Sequence, residues 1–418
     1  MPKARFFYGW WIVGVALAGE CLGNGSLVTY TFGCFLKPLA KEFAANRGRT
    51  ALALSLTNFA VAISAPLMGR LSDRFGVRRI VLGAILGSVA AVIAISGARP
   101  PLWHLYLAFA LAGLAGAGAG PVTYRRVVVN WFDRRRGLAL GLASLGLGLG
   151  AFVMPLAAQA LIDRSGWRRA YLTLAVLALA IVFPLVAFFF KERPAELGLR
   201  PDGASGPEII PPAPIAPAGA SFAAAVRTGT FWQLCFIFGA VAACVVGTSL
   251  HLVAMLTDRG LTPAHAALIA SLFGLATLVG RVVTGGLIDR VFAPRVMALF
   301  FGGAALGLLI FWQGAGGRAP EVGALLLGLG VGAETDVMPY LVSRYFGLRA
   351  MGAIFGSAFS AHVLGVAAGG YLLGAGFDAA GSYRLPLGAA VGLMLLVIAA
   401  TLGLRPYAGP ASRPAPPH

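Results

Sequence analysis

Gly69-Arg70-Leu71-Ser72-Asp73-Arg74-Phe75-Gly76-Val77-Arg78-Arg79 is a polar loop between two apolar runs. Part of it returns as Gly285-Gly286-Leu287-Ile288-Asp289-Arg290, followed by Arg295, at an offset of 216 residues. A second pair keeps almost the same register. Trp131-Phe132 with Gly137 and Gly141 corresponds to Tyr345-Phe346 with Gly352 and Gly356, at offsets of 214 and 215. Two unrelated motifs that recur at nearly one offset indicate a unit present twice in parallel orientation.

Outward from these loops the chain is apolar. A hydrocarbon core about 30 Å thick needs roughly 20 residues of helix. Twelve runs meet that need, at about 8–34, 51–71, 79–97, 102–129, 137–160 and 168–190, then about 230–256, 264–288, 296–313, 320–343, 352–375 and 383–404. The runs are continuous rather than alternating, which favours helices over barrel strands. The expected fold is an all-α membrane protein with twelve transmembrane helices in two pseudo-symmetric six-helix bundles. Residues 1–190 form the first bundle and 229–405 the second. The Pro-rich segment 191–228 reads as a solvated linker with a short helix near Ser221–Arg227, and 406–418 as a disordered tail.

Composition agrees. Of 418 residues, 58% are hydrophobic and 11% charged, against about 25% charged in an average soluble domain, and mean hydropathy is +0.83. This excludes a soluble enzyme, a disordered chain and, despite a net charge of +18, a nucleic-acid-binding module, whose basic residues need a solvated face. Cys21, Cys34, Cys235 and Cys244 lie in apolar runs without metal-ligand or disulfide spacing. The first apolar stretch is too long for a cleavable leader. With both termini on one side, that side receives 19 Lys/Arg and the other 11. The positive-inside bias therefore places termini and linker in the cytoplasm. The use of 29 Arg against 4 Lys suggests a GC-rich bacterial source and thus the inner membrane.

The loop Gly69–Arg79 matches the G-x-L-x-D-R-x-G-x-R-R signature, and the chain resembles the major facilitator superfamily over nearly its whole length. That resemblance implies the helical architecture above and a gating role for Gly69, Asp73, Arg74, Gly76 and Arg79, with Asp289 and Arg290 in the second copy. In physical terms, an acid beside a helix end and an arginine cluster can lock two helices on the cytoplasmic side. The second copy has Phe292 where the second glycine should be, which weakens its lock. A finer resemblance is to the monocarboxylate porter and oxalate–formate antiporter branch. It rests on Tyr8-Gly9-Trp10, on Trp131-Phe132-Asp133-Arg134-Arg135-Arg136-Gly137-Leu138-Ala139-Leu140-Gly141, on Gly280-Arg281 and on Arg344-Tyr345-Phe346-Gly347. These motifs mostly shape packing and loops. In that branch the eighth-span arginine binds the substrate carboxylate, a role the resemblance carries onto Arg281. Some relatives place an Asp earlier in that span; residues 264–280 hold no acid.

Six charges fall at membrane depth: Glu20, Arg125, Arg126, Arg281, Glu334 and Asp336. Each costs at least about 2.5–3.5 kcal/mol at a helix centre, so each needs a cavity or a partner. A guanidinium at Arg281 can hold a carboxylate through two parallel hydrogen bonds; the alternative pairs it with Glu334 or Asp336. Arg125 and Arg126 point about 100° apart, so one serves a cavity and the other a helix-to-helix bridge, with Arg126 and Tyr124 chosen for the substrate. Asn58, Tyr30, Tyr340 and Ser360 are candidate polar linings. Glu334, Asp336, Glu20, His251 and His362 are candidate proton carriers, since buried carboxyls and imidazoles titrate near neutrality.

No nucleophile elbow, metal ligand set or phosphate loop is present, so no enzyme activity, cofactor or metal is expected. The expected function is secondary active transport of a small organic anion, a monocarboxylate by preference, by proton-coupled symport through alternating access. Partners are the anion, the proton and lipid, and the protein is expected to be a monomer. Alternatives are oxalate–formate-type anion exchange, drug or metabolite efflux through an acidic cavity, and a non-transporting sensor. Neither linker nor tail is large enough for a sensor's signalling domain.

Overall fold

The computed structural model describes residues 7–45, 47–203, 219–314 and 316–407. The Pro-rich run Pro207–Pro217 and the tail beyond Tyr407 lie outside them. Among the described residues, eleven helical runs are long and apolar enough to cross a membrane. They are Gly9–Glu42, Leu52–Phe75, Val77–Gly97, Trp103–Trp131, Arg136–Phe189, Gly229–Asp258, Leu268–Ile288, Ala293–Gln313, Ala319–Phe346, Met351–Ala380 and Arg384–Leu402. Arg136–Phe189 turns at Gly166, with φ 78° and ψ 163°, a conformation open to glycine because it lacks a Cβ. This run therefore holds spans 5 and 6, and twelve crossings result.

Apolar side chains fill two cores. The smaller, in the first half, includes Phe35 stacked on Tyr171 at 3.7 Å. The halves meet mainly where span 2 lies along span 11 and span 5 along span 8. Small residues set the distance there. A Cβ on Gly69 would collide with the Gly352 carbonyl, and one on Gly137 with the Gly285 carbonyl. These are the glycines of the repeated motifs, and close backbone approach is how glycine contributes to packing in a membrane.

Three crossings are interrupted at membrane depth, although their sequences read as continuous. Span 1 contains a π turn at Gly25–Tyr30 and span 7 another at Ala242–Val246, in nearly equivalent positions of the two halves. Span 4 passes through a tight turn at Ala117–Ala119 and an extended Gly120, then restarts with Pro121 as the first helical residue. Proline suits that position because its missing N–H would have no intrahelical partner there. Thr123 Oγ1 lies within hydrogen-bond reach of the carbonyls of Gly118 and Gly120, each at 2.9 Å.

The aromatic motifs touch one another. Phe7 and Trp10 pack on Phe132 with centroids 5.5 and 4.9 Å apart, and Tyr8 packs on Trp131 at 5.4 Å. The first part of the linker is hydrogen-bonded to the bundle here, while residues 195–201 stay exposed. Lys191 O accepts from Trp131 Nε1 at 2.9 Å, and Glu192 Oε1 from the Arg78 backbone N–H at 2.9 Å. Asp202 Oδ2 accepts from the N–H groups of Asp133 and Arg134 at 2.9 and 2.7 Å. The linker thus supplies acceptors to two part-buried donors, Trp131 Nε1 and the Arg78 N–H, and to two exposed ones just before span 5. The short helix is Phe222–Val226, with Ser221 as its N-cap. Tyr407 packs on Phe292 and Tyr345 with centroids 5.0 and 5.1 Å away, so the tail's first residues are held.

Candidate functional site

A cavity of about 280 Å³ lies between the halves, lined among others by Glu20, Asn24, Tyr30, Asn58, Arg125, Arg281 and His362. The span 1 π turn and the span 4 break form part of its wall, through Gly25, Thr29, Tyr30, Gly120 and Pro121. Irregular backbone at this depth is tolerated where it lines a cavity.

Four of the membrane-depth charges form one network. Arg125 Nε reaches Glu20 Oε1 at 3.0 Å and Arg125 Nη2 reaches Glu20 Oε2 at 3.3 Å. Arg125 Nη1 and Arg281 Nη1 then share Asp336 Oδ1, each at 3.3 Å. Glu20 and Arg125 belong to the first half, Arg281 and Asp336 to the second, so the chain Glu20–Arg125–Asp336–Arg281 crosses the molecule. Its formal charge is zero. Arg281, with its side chain 8% exposed, is the most accessible member. Among the described residues, its Nε and the Oδ1 of Asn24, which lines the same cavity, are buried without a hydrogen bond.

The remaining acid, Glu334, is paired separately, its Oε1 lying 2.7 Å from His362 Nδ1. It thus leaves Arg281 to Asp336 and resolves the alternative pairings of the arginine.

The structure exchanges the roles expected of the adjacent arginines. Arg125 lines the cavity, whereas Arg126 Nη2 bonds Asp73 Oδ1 at 2.8 Å and Arg126 Nη1 bonds Ser72 Oγ at 2.9 Å. The restart at Pro121 sets the helix phase, and Gly120-Pro121 was the readable signal of a break. Tyr124 is also turned from the cavity. It is fully buried and packs against Gly19 and Phe190. Tyr340 sits toward the loop end, where its hydroxyl donates to Ile288 O at 2.9 Å. Ser360 Oγ is spent on backbone carbonyls of Ala62 and Gly356, stitching span 11 to span 2. His251 is remote from the network, with Nε2 2.8 Å from Gly370 O and Nδ1 3.4 Å from Tyr383 Oη. Asn58, Tyr30, Glu20 and His362 do line the cavity, and Asp336 lies directly behind it.

Below the cavity the repeated loops clamp the halves together. Asp73 accepts the N–H groups of Gly352 and Ala353 at 3.2 and 3.1 Å. Asp289 accepts those of Gly137 and Leu138 at 2.7 and 3.0 Å. Each acid caps the first turn of a helix in the opposite half, where free N–H groups and the helix dipole favour negative charge. Burial still pushes the Asp289 carboxyl above its ordinary pKa, and the two N–H bonds only partly offset that. The second lock makes the same pair of N–H bonds as the first despite Phe292, while the first adds an ion pair to its acid. The arginine of the first lock is Arg126, not the loop cluster. Arg74 lies over its neighbour Phe75 at 5.1 Å, while Arg79 and Arg290 are exposed. Gly76 turns with φ 90°, its neighbour there being the Glu192 carboxylate. Two contacts that sequence reasoning missed reinforce the clamp: Arg344 Nη1 to Asp133 Oδ1 at 3.1 Å, and Arg136 Nη1 to Ser343 Oγ at 3.0 Å.

Two pseudo-symmetric helical bundles around a charged cavity, clamped at one end by matched loops, define a multi-pass membrane transporter rather than an enzyme. The Major Facilitator Superfamily profile matches residues 21–370, and the chain belongs to that superfamily. It is 30% identical to Monocarboxylate transporter 11 of Mus musculus over 76% of this chain and 66% of that protein. The chain thus spans slightly less than two thirds of that relative's length. It is 29% identical to Monocarboxylate transporter 13 of Bos taurus over 90% of this chain and 87% of that one. The crystal structure of the human organic anion transporter MFSD10 (TETRAN) superposes with a TM-score of 0.72 at 16% identity, covering 94% of this chain and 99% of the other.

Proposed function

We propose that the chain carries a small organic anion, a monocarboxylate by preference, by proton-coupled symport, with both termini on the cytoplasmic side of a bacterial inner membrane. The observation that carries this reading is the convergence of Arg125 and Arg281, from opposite halves, on a single carboxylate oxygen of Asp336 beside the cavity. A cargo carboxylate offers the same acceptor. It would take over the Arg281 fork through the Nε and release Asp336, in a site buried enough for charge-assisted bonds to count. Because the two arginines belong to different halves, holding one anion between them favours closure around it. The cavity of about 280 Å³ falls near the lower end of ligand pockets, roughly 300–1,000 Å³, which suits a small acid. The names of the relatives agree, and the 19 to 11 distribution of basic residues supports the orientation.

The test is uptake of radiolabelled lactate, pyruvate and oxalate into proteoliposomes, with and without an inward proton gradient. Arg281→Lys keeps the charge but loses the planar fork, and is expected to lower kcat/KM for the transported acid by about 10- to 100-fold, the equivalent of one charge-assisted hydrogen bond of roughly 1.5–3 kcal/mol. Unchanged carboxylate uptake by that variant sinks the site assignment.

A further inference from the structure

We infer that Glu334 and His362 together form the site that carries the coupling proton, separately from the four-charge network that holds the anion. The inference rests on the reading of the chain as a carboxylate carrier and assigns within it the group that binds H⁺.

Glu334 is fully buried in span 10, its Oε1 is 2.7 Å from His362 Nδ1, and its Oε2 makes no hydrogen bond among the described residues. A buried carboxylate with one oxygen unpartnered depends on its single partner, and a protonated imidazole is a stronger partner for it than a neutral one. The imidazole lines the cavity and stacks on Phe359 at 5.8 Å. With Nδ1 turned to Glu334, Nε2 is the nitrogen left to exchange a proton with the cavity. A proton arriving at Nε2 converts a neutral imidazole beside a carboxylate into an imidazolium–carboxylate pair. No other bond is made or broken.

The groups around the pair leave this role to it. Across the cavity from span 4 and span 8 stand Arg125 and Arg281, already neutralised by Glu20 and Asp336. Tyr30 faces in from span 1, and span 2 presents the uncharged Asn58. Span 7 brings the Cys244 thiol into the field of Glu334, and His251 farther out is occupied by Gly370 O. Asp73, on span 2, lies at the clamp. The network sums to zero and the deprotonated pair contributes −1. Taking up one proton brings the site to zero, and one monocarboxylate returns it to −1. The loaded and the empty site therefore have the same charge, and each anion moves with one proton. His362 sits on span 11, two residues from the Ser360 contact that ties this span to span 2, so movement of one half past the other changes the pair's surroundings.

The experiment compares the full chain and its Glu334→Gln variant in proteoliposomes, using lactate in two assays: accumulation driven by a pH gradient, and counterflow against preloaded lactate without a gradient. Wild type is expected to show both, with accumulation approaching about tenfold per pH unit for one-to-one coupling. E334Q is expected to retain counterflow and lose accumulation, its ratio falling to about 1, with uptake no longer rising as external pH falls. Accumulation by E334Q at the wild-type ratio overturns the assignment. Should E334Q be unstable, Glu334→Asp draws the carboxylate back from Nδ1 and is expected to move the pH midpoint of uptake; an unmoved midpoint overturns the assignment equally. Wild type that carries lactate in neither assay, and neither pyruvate nor oxalate when each replaces it, overturns the carboxylate reading and this assignment with it.

Discussion

Arg125 and Arg126 are neighbours in sequence with unrelated tasks, since one helical step of about 100° separates cavity from clamp. Arg126→Gln removes the guanidinium from Asp73 and is expected to loosen the clamp while sparing anion affinity. Arg125→Gln should do the reverse, weakening anion binding while leaving the loop end closed. Equilibrium binding of labelled lactate, together with cysteine accessibility at residue 72, separates the two outcomes. Asp336→Asn leaves Arg125 and Arg281 without their shared carboxylate. Breaking a buried pair costs about 3–5 kcal/mol, so a lower Tm is expected in detergent, with added lactate restoring more of it than in wild type. The inventory of six buried charges was readable from composition alone. Their pairing was not, because Glu20 and Asp336 reach one arginine from helices more than 300 residues apart in the chain.

At the scale of elements, the interruptions govern the site. Span 4 read as one continuous run, yet it restarts at Pro121, and only the restart aims Arg125 into the cavity. The π turns of spans 1 and 7 left no mark on an apolar sequence, because hydropathy records what a residue dislikes and not which carbonyl its N–H selects. The glycines of the clamp were legible as repeats, and their purpose is the contact of span 2 with span 11 and of span 5 with span 8. Gly352→Val places a branched side chain against the Gly69 carbonyl and is expected to hold the loop end open, increasing the labelling rate of a cysteine introduced at Leu71. Asp289→Asn should be milder than Asp289→Ala, since the amide oxygen still accepts one N–H and the carboxyl is already held above its ordinary pKa by burial. Accessibility of a cysteine at Leu138 measures the difference.

For the whole molecule, the net charge of +18 divides into +12 on the side of the termini, +6 on the opposite side and zero in the membrane. Reporter fusions after Gly97 and after Gln313 are expected to lie outside the cytoplasm, and a fusion at the C-terminus inside it. The opposite pattern reverses the orientation but leaves the fold untouched. The two-bundle fold was legible because the repeat offset and the apolar runs agree. The docking of residues 191–203 was not, since a Pro- and charge-rich stretch is as soluble as it is able to accept from the N–H groups beside it.

Asp73 reaches the start of span 11, and Asp289 reaches the start of span 5. One acid and one helix start, each present twice, therefore serve both locks reciprocally, as residue i meets j and j meets i in an isologous dimer. A half-length chain of six spans, pairing with its own copy about a two-fold axis, would already have made both locks from one motif pair. The single chain keeps this reciprocal clamp while its membrane-depth acids and arginines differ between the halves.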